Sequence, residues 1–232
     1  MLNNKNIIAV IIISAFMALS ACSEQESNQA KIETQVVETP VETAANSFTI
    51  QEGIHYTVLQ NPINRPANEV LEFFWYGCPH CKDADKYVKT WEKENAGVYQ
   101  LLQAHSQLSQ SWMFDASVFY GLKELDLEKK IHTDYFVERQ NGSIKKQADL
   151  KIFLQKYDIN INDMIAALKK DSVIDLRASL HKAELQSKTN GVPSFIVGGK
   201  YLVNLEGLAE VGSWKGLGSV LNQLAAKSIN EK

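Results

Sequence analysis

The sequence predicts an α/β fold in which a run of helices interrupts the strands of one sheet. Three observations carry that prediction. A nearly continuous apolar segment, Val70-Leu71-Glu72-Phe73-Phe74-Trp75, leads through Tyr76-Gly77 into a helical pattern that opens at Cys78. Residues from about 109 to 187 keep the i, i+3, i+4, i+7 spacing of amphipathic helices. Two short apolar segments, 194–197 and 201–203, follow late in the chain and are joined through Gly198-Gly199, a hairpin signal.

The chain opens with a leader. Lys5 gives a weakly positive start, and Ile7 to Leu19 is apolar apart from Ser14. These roughly thirteen residues fall short of the ~20 that a membrane-spanning helix needs, so 1–21 reads as a signal peptide. Leu19-Ser20-Ala21-Cys22 resembles a bacterial lipobox, in which the cysteine is lipidated and becomes the mature N-terminus. Cys22 is therefore the expected lipidation site, with membrane attachment through the N-terminal lipid. An ordinary secretory cut after Ala21 and an uncleaved anchor are the alternatives. The first is disfavoured by Leu19, which breaks the small-x-small rule. Ser23 stands where an aspartate often retains enteric lipoproteins at the inner membrane, and leans toward the outer one. From Ser23 to about Ser47 the residues are mostly Glu, Gln, Thr, Ser, Asn, Ala and Val, with Pro40. No core can be built from it, so 22–47 is expected to be a lipidated end and flexible tether.

The body follows. His55 to Leu59 is a candidate first strand. Val70 to Trp75 is a stronger one, apolar enough to be central and covered on both faces. Glu72 is its exception, because a lone glutamate is almost never fully buried. After Cys81, the residues Ala84, Tyr87, Val88 and Trp91 share one helical face and are expected core, whereas Lys82, Asp83, Asp85, Lys86 and Lys89 read as a solvated face. Val98 to His105 is the next strand candidate. The helical stripes then run Trp112, Ala116, Phe119, Tyr120; Ile131, Tyr135, Phe136, up to the turn signal Asn141-Gly142; Leu150, Phe153, Leu154, Tyr157; Ile161, Ile165, Leu168; and Val173, Leu176, Leu180, Ala183, with Ser172 as the cap. They read as packing surfaces, and His132 and His181 as surface residues. A last helix is expected to use Ser213 as cap and Trp214, Leu217, Val220, Leu221 and Leu224 as its inner face.

The chemistry concentrates at Cys78-Pro79-His80-Cys81. A helix N-terminus carries partial positive charge and unpaired N–H groups, so a cysteine at that position favours thiolate over thiol. Pro79 suits the first turn, where its missing N–H costs nothing. His80 adds positive charge when protonated. The thiolate is the reactive form, and Cys81, one turn further in, is placed to close a disulfide with Cys78. The reading is a dithiol/disulfide redox centre. The chain has three cysteines; with Cys22 in the leader, none remains for a structural disulfide. Metal binding by Cys78, His80 and Cys81 ranks low, because donors so close together cannot wrap a tetrahedral ion and no second Cys-x-x-Cys supplies the rest. A net charge of −3 gives no reason to expect a nucleic-acid partner.

Phe73-Phe74-x-x-x-Cys78-Pro79-His80-Cys81, together with Gly191-Val192-Pro193 far downstream, resembles the DsbA-like thiol:disulfide oxidoreductases of the bacterial periplasm. The resemblance implies a thioredoxin fold built from 48–108 and 188–232, with an inserted all-helical subdomain over 109–187. It implies catalytic Cys78 and Cys81, tuned by Pro79 and His80; Glu72 as a proton shuttle to Cys81; and Val192 with a cis Pro193 as the client-binding edge. Where such proteins carry a lysine opposite that glutamate, this chain has Gln103, so Glu72 is expected to sit at a raised pKa. The redox-active disulfide is the only cofactor implied. The implied partners are reduced exported proteins and a DsbB-like, quinone-linked membrane oxidase. A reductase or isomerase of the same fold is the alternative; the Pro-His pair and Val192, which stands where isomerases have threonine, argue against it.

Overall fold

A computed structural model of the chain describes residues 48–231. The signal peptide, Cys22 and the tether expected over 1–47 lie outside these residues.

Five strands form one mixed sheet: β1 Tyr56–Val58, β2 Glu69–Phe74, β3 Gln100–His105, β4 Ser194–Val197 and β5 Tyr201–Val203, in the order β1-β5-β4-β2-β3. β2 runs parallel to β3 and antiparallel to β4, and each of its six residues is buried. This is the covered strand that its apolar run predicts. Between β4 and β5 the chain reverses at Gly198 and Gly199, both with positive φ, and the Lys200 N–H returns to the Val197 carbonyl over 3.0 Å. A Cβ on Gly199 would lie 2.0 Å from the Ile63 carbonyl oxygen, so no other residue fits there.

Each face of the sheet has its own cover. On one side Val70, Phe195, Val197, Tyr201 and Val203 pack against helix α1 (Pro79–Glu94) and the last described helix, Leu217–Asn230. Trp91 joins those two helices by donating from Nε1 to Asn222 Oδ1 over 2.7 Å. On the other side Leu71, Phe73 and Ile196 meet a helical layer. That layer follows a short 3-10 turn at Gln110–Trp112 and comprises α2 Met113–Glu124, α3 Glu128–Gln140, α4 Gln147–Gln155, α5 Ile161–Ala167 and α6 Asp171–Ser187; the last helix is then α7. All of it lies between β3 and β4 in the chain, as the helical periodicity predicts.

Several local expectations are corrected. Ser172 does not cap α6, which starts one residue earlier at Asp171 and has no side-chain cap. Ser213 lies in a 3-10 turn at positive φ, and α7 begins at Leu217 behind Gly216. Tyr87 is half-buried rather than core. Asp85 is buried, not solvated, and His132 is only 1% exposed where a surface residue was expected. The reason is mutual: the two side chains form a charge pair at 3.2 Å between α1 and α3, and each offsets part of the cost of burying the other. His181 keeps 37% of its side chain exposed, as expected.

Candidate active site

β2 ends at Phe74, and Trp75, Tyr76 and Gly77 carry the chain over the top of the sheet into α1. Gly77 is required by its neighbour: a Cβ there would lie 2.2 Å from the Trp75 ring. Cys78 is the N-cap of α1, with extended φ and ψ, and its sulfur accepts from the Cys81 backbone N–H at 3.3 Å. A thiolate takes the place usually held by a serine or aspartate oxygen. Pro79 follows within the first turn, and both Pro79 and His80 are exposed. Cys78 is 7% exposed and Cys81 1%; both are free thiols in this structure.

The two cysteines are driven apart electrostatically. A hydrogen bond from the Cys81 side chain, with the backbone N–H groups of Cys81 and His80 and the His80 charge in support, lowers Cys78 to about 6 against the effect of burial. Burial, the hydrogen bond to Cys78 and the charge on Cys78 push Cys81 far above the usual thiol range. One sulfur thus favours the thiolate near neutral pH and keeps a small exposure, and the other is a fully enclosed thiol.

Val192 and Pro193 come from the far end of the sequence to this sulfur. The peptide bond between them is cis, and the Cys78 thiol lies 3.4 Å from the Val192 carbonyl oxygen. Glu72 lies inside, fully buried on β2 and paired in register with Gln103 on β3. Burial pushes its carboxyl up to about 7, only partly offset by the hydrogen bond from Gln103, and the Asp85 charge pushes the same way. The raised value is the one expected from a glutamine in the lysine's place. Its charge reaches Cys81, whose thiol it raises further.

No protein-family model matches the chain. The thiol:disulfide interchange protein DsbA of Burkholderia cepacia is 28% identical over 192 residues, covering 78% of this chain and 86% of that protein. DsbA of Pseudomonas syringae pv. tomato is 26% identical over 161 residues, covering 67% and 75%. Among solved structures, an N. meningitidis oxidoreductase superposes with a TM-score of 0.66 at 26% identity, covering 78% of this chain and 95% of that one. Proteus mirabilis DsbA, solved with a non-covalently bound peptide, superposes with a TM-score of 0.67 at 24% identity, covering 77% and 100%. The chain is similar to these DsbA proteins over most of its length, and it is a thiol:disulfide oxidoreductase. Its fold is the thioredoxin fold with a helical insertion.

In this DsbA-like protein two groups beside the cysteines escaped sequence reasoning. The first is a buried charge cluster. His132 on α3 faces Asp85 of α1 through Nε2 and contacts Glu128 through Nδ1, while the Tyr76 hydroxyl lies 2.9 Å from the same Nδ1. Burial works against the imidazolium, but the two carboxylates outweigh it and raise His132. They are themselves lowered in return, Asp85 with help from Lys89 at 2.8 Å. The two carboxylates take opposite ring nitrogens and so do not converge on one point; among the described residues no cluster of three or more such side chains could hold a metal ion. The one sequence signal was the i, i+4 spacing of Glu128 and His132.

The second group is Gln140, the last residue of α3. Its amide donates to the carbonyls of both Tyr76 (3.1 Å) and Cys78 (3.0 Å). Nothing local in the sequence ties residue 140 to residue 78.

Proposed function

We propose that the protein is a thiol:disulfide oxidase that gives its Cys78–Cys81 disulfide to exported proteins during their folding. A client thiolate attacks the Cys78 sulfur, the Cys78–Cys81 bond breaks, and a mixed disulfide forms. Cys81 leaves and takes a proton, for which Glu72, with its raised pKa, is the nearby donor. A second client thiolate then attacks the client sulfur of the mixed disulfide, and Cys78 departs as thiolate. The client loses two electrons and gains a disulfide; the protein ends as a dithiol. Val192 and the cis Pro193 offer the extended edge along which a client's cysteine reaches Cys78. Reoxidation falls to a quinone-linked membrane protein of the DsbB kind.

The observation that carries this reading is the position of Cys78 as the α1 N-cap, its sulfur accepting from the Cys81 N–H at 3.3 Å, an arrangement that lowers its pKa. A good leaving group speeds release of the client disulfide and stabilises the reduced protein, and so makes the oxidised form a strong oxidant. The peptide bound to Proteus mirabilis DsbA supports a peptide-like client. The leader over 1–21, lipidation at Cys22 and the tether to residue 47 make the periplasmic face of a membrane the working place of the enzyme.

The test is the equilibrium of the Cys78–Cys81 pair with glutathione. A potential near about −120 mV, the oxidising end of the DsbA-to-thioredoxin range, is expected. One near about −270 mV, the thioredoxin end, would make the protein a reductase and end the oxidase reading.

A further inference from the structure

The catalytic turn can be accounted for one polar group at a time. The Tyr76 N–H reaches His105 Nε2 at 3.4 Å, and burial holds His105 at about 3, neutral and able to accept. The Cys78 N–H returns to the Trp75 carbonyl at 3.0 Å. The Cys78 carbonyl takes the first helical bond, from the Lys82 N–H at 3.2 Å. The Tyr76 carbonyl and the second lone pair of the Cys78 carbonyl are served by one side chain. That side chain is Gln140, which belongs to the helical layer and not to the sheet.

Gln140 is itself held in place. Its neighbour Arg139 donates from Nε to Asp115 Oδ1 at 2.8 Å, and Tyr135 donates to the same oxygen at 2.9 Å. Asp115, fully buried on α2, also accepts from Trp75 Nε1 at 2.9 Å. Nearly two turns into α1, His132 of the same α3 meets Asp85. Thus α3 grips the catalytic helix at two points, and at its start the grip is the amide of Gln140.

We propose that Gln140 is a positioning residue for disulfide exchange: by fixing the carbonyls on either side of Gly77 it holds the turn so that the Cys78 sulfur stays on the Cys81 N–H. The backbone of Cys78 is extended while that of Pro79 is helical, and Gly77 gives the turn no side chain of its own to stiffen it. With Gln140 removed, the Tyr76 carbonyl loses its donor and the turn relaxes toward water. The contact that favours the thiolate loosens with it. The inference rests on the Cys78–Cys81 redox chemistry above, but not on which way electrons flow.

The full-length chain carrying Gln140→Met, which keeps the length and removes the donors, and a second carrying Gln140→Glu test it. Two readouts follow the sulfur: ultraviolet titration of the Cys78 thiolate and the equilibrium with glutathione. Loss of these hydrogen bonds is expected to raise the thiolate midpoint and to shift the equilibrium about three- to tenfold toward the oxidised protein. Lower melting temperatures with an unchanged midpoint and equilibrium in both variants would overturn the proposal and leave Gln140 a structural tie. Both readouts are differences from the parent chain, so a parent potential at the thioredoxin end would defeat the oxidase reading without touching this one.

Discussion

Gln103 donates its side-chain amide to Glu72 Oε2 across 2.8 Å, so the buried carboxyl of β2 is met by a neutral donor and not by a cation. The raised pKa of Glu72 makes it a burden on the fold when charged. Its folded value of about 7 lies above the ordinary 4.5. The stability it contributes is therefore fully present below about 4.5 and is lost as pH rises through about 7. Glu72→Gln should stabilise the protein at pH 8 by up to about 3 kcal/mol and change little at pH 4.5. Urea unfolding at the two values checks this, and an equal effect at both would refute it.

Replacing the partner makes the complementary case. Gln103→Lys puts a cation against Glu72 and favours its charged form. The pH dependence just described should flatten, with the Glu72 titration moving down toward the ordinary range. Carboxyl chemical shifts in labelled protein would follow it directly; a midpoint still near 7 would show that burial alone governs the group.

The Cys78 thiol should titrate at about 6, visible in the ultraviolet absorbance of the thiolate. The sign for stability is opposite to that of Glu72. A depressed thiol pKa contributes stability that is present above the unfolded value and is lost as pH falls through about 6. The reduced protein should therefore out-stabilise the oxidised one at pH 8, with the gap narrowing on acidification through that point. His80→Ala withdraws one positive influence and should lower the redox potential. An unchanged potential would assign the depressed pKa to the helix turn alone.

His132→Ala should be among the most damaging single changes outside the cysteines. It leaves Asp85 and Glu128 buried without their cation, a loss of about 3–5 kcal/mol. Stability should also fall from both sides of neutrality. The raised His132 loses its contribution as pH rises through its folded value, and the lowered Asp85 and Glu128 lose theirs on acidification. A denaturation series across pH would show the dome shrink in the variant; a loss below about 1 kcal/mol would mean that the cluster is open to water.

Much of this was legible beforehand because its causes are local. Strand β2, the glycine turn, the cysteine at a helix start and the helical stripes each follow from neighbours in sequence, where periodicity and backbone preference act. The cis bond at Pro193 and the shuttle role proposed for Glu72 were expected from resemblance to DsbA-like proteins, since neither leaves a local trace. Helix starts were misplaced at Ser172 and Ser213 because packing, not a capping hydroxyl, set where α6 and α7 begin.

By itself the sequence determined a covered strand running into a helix that opens on a reactive cysteine, with a partner cysteine one turn later. Tertiary structure decided which charges are buried and what holds the turn. Asp85 and His132 read as solvent-facing one at a time; they are buried because α3 crosses α1 and brings opposite charges within 3.2 Å. Gln140 reaches Cys78 from 62 residues away. No local pattern encodes such a meeting, because it exists only once the helical layer has closed over the sheet.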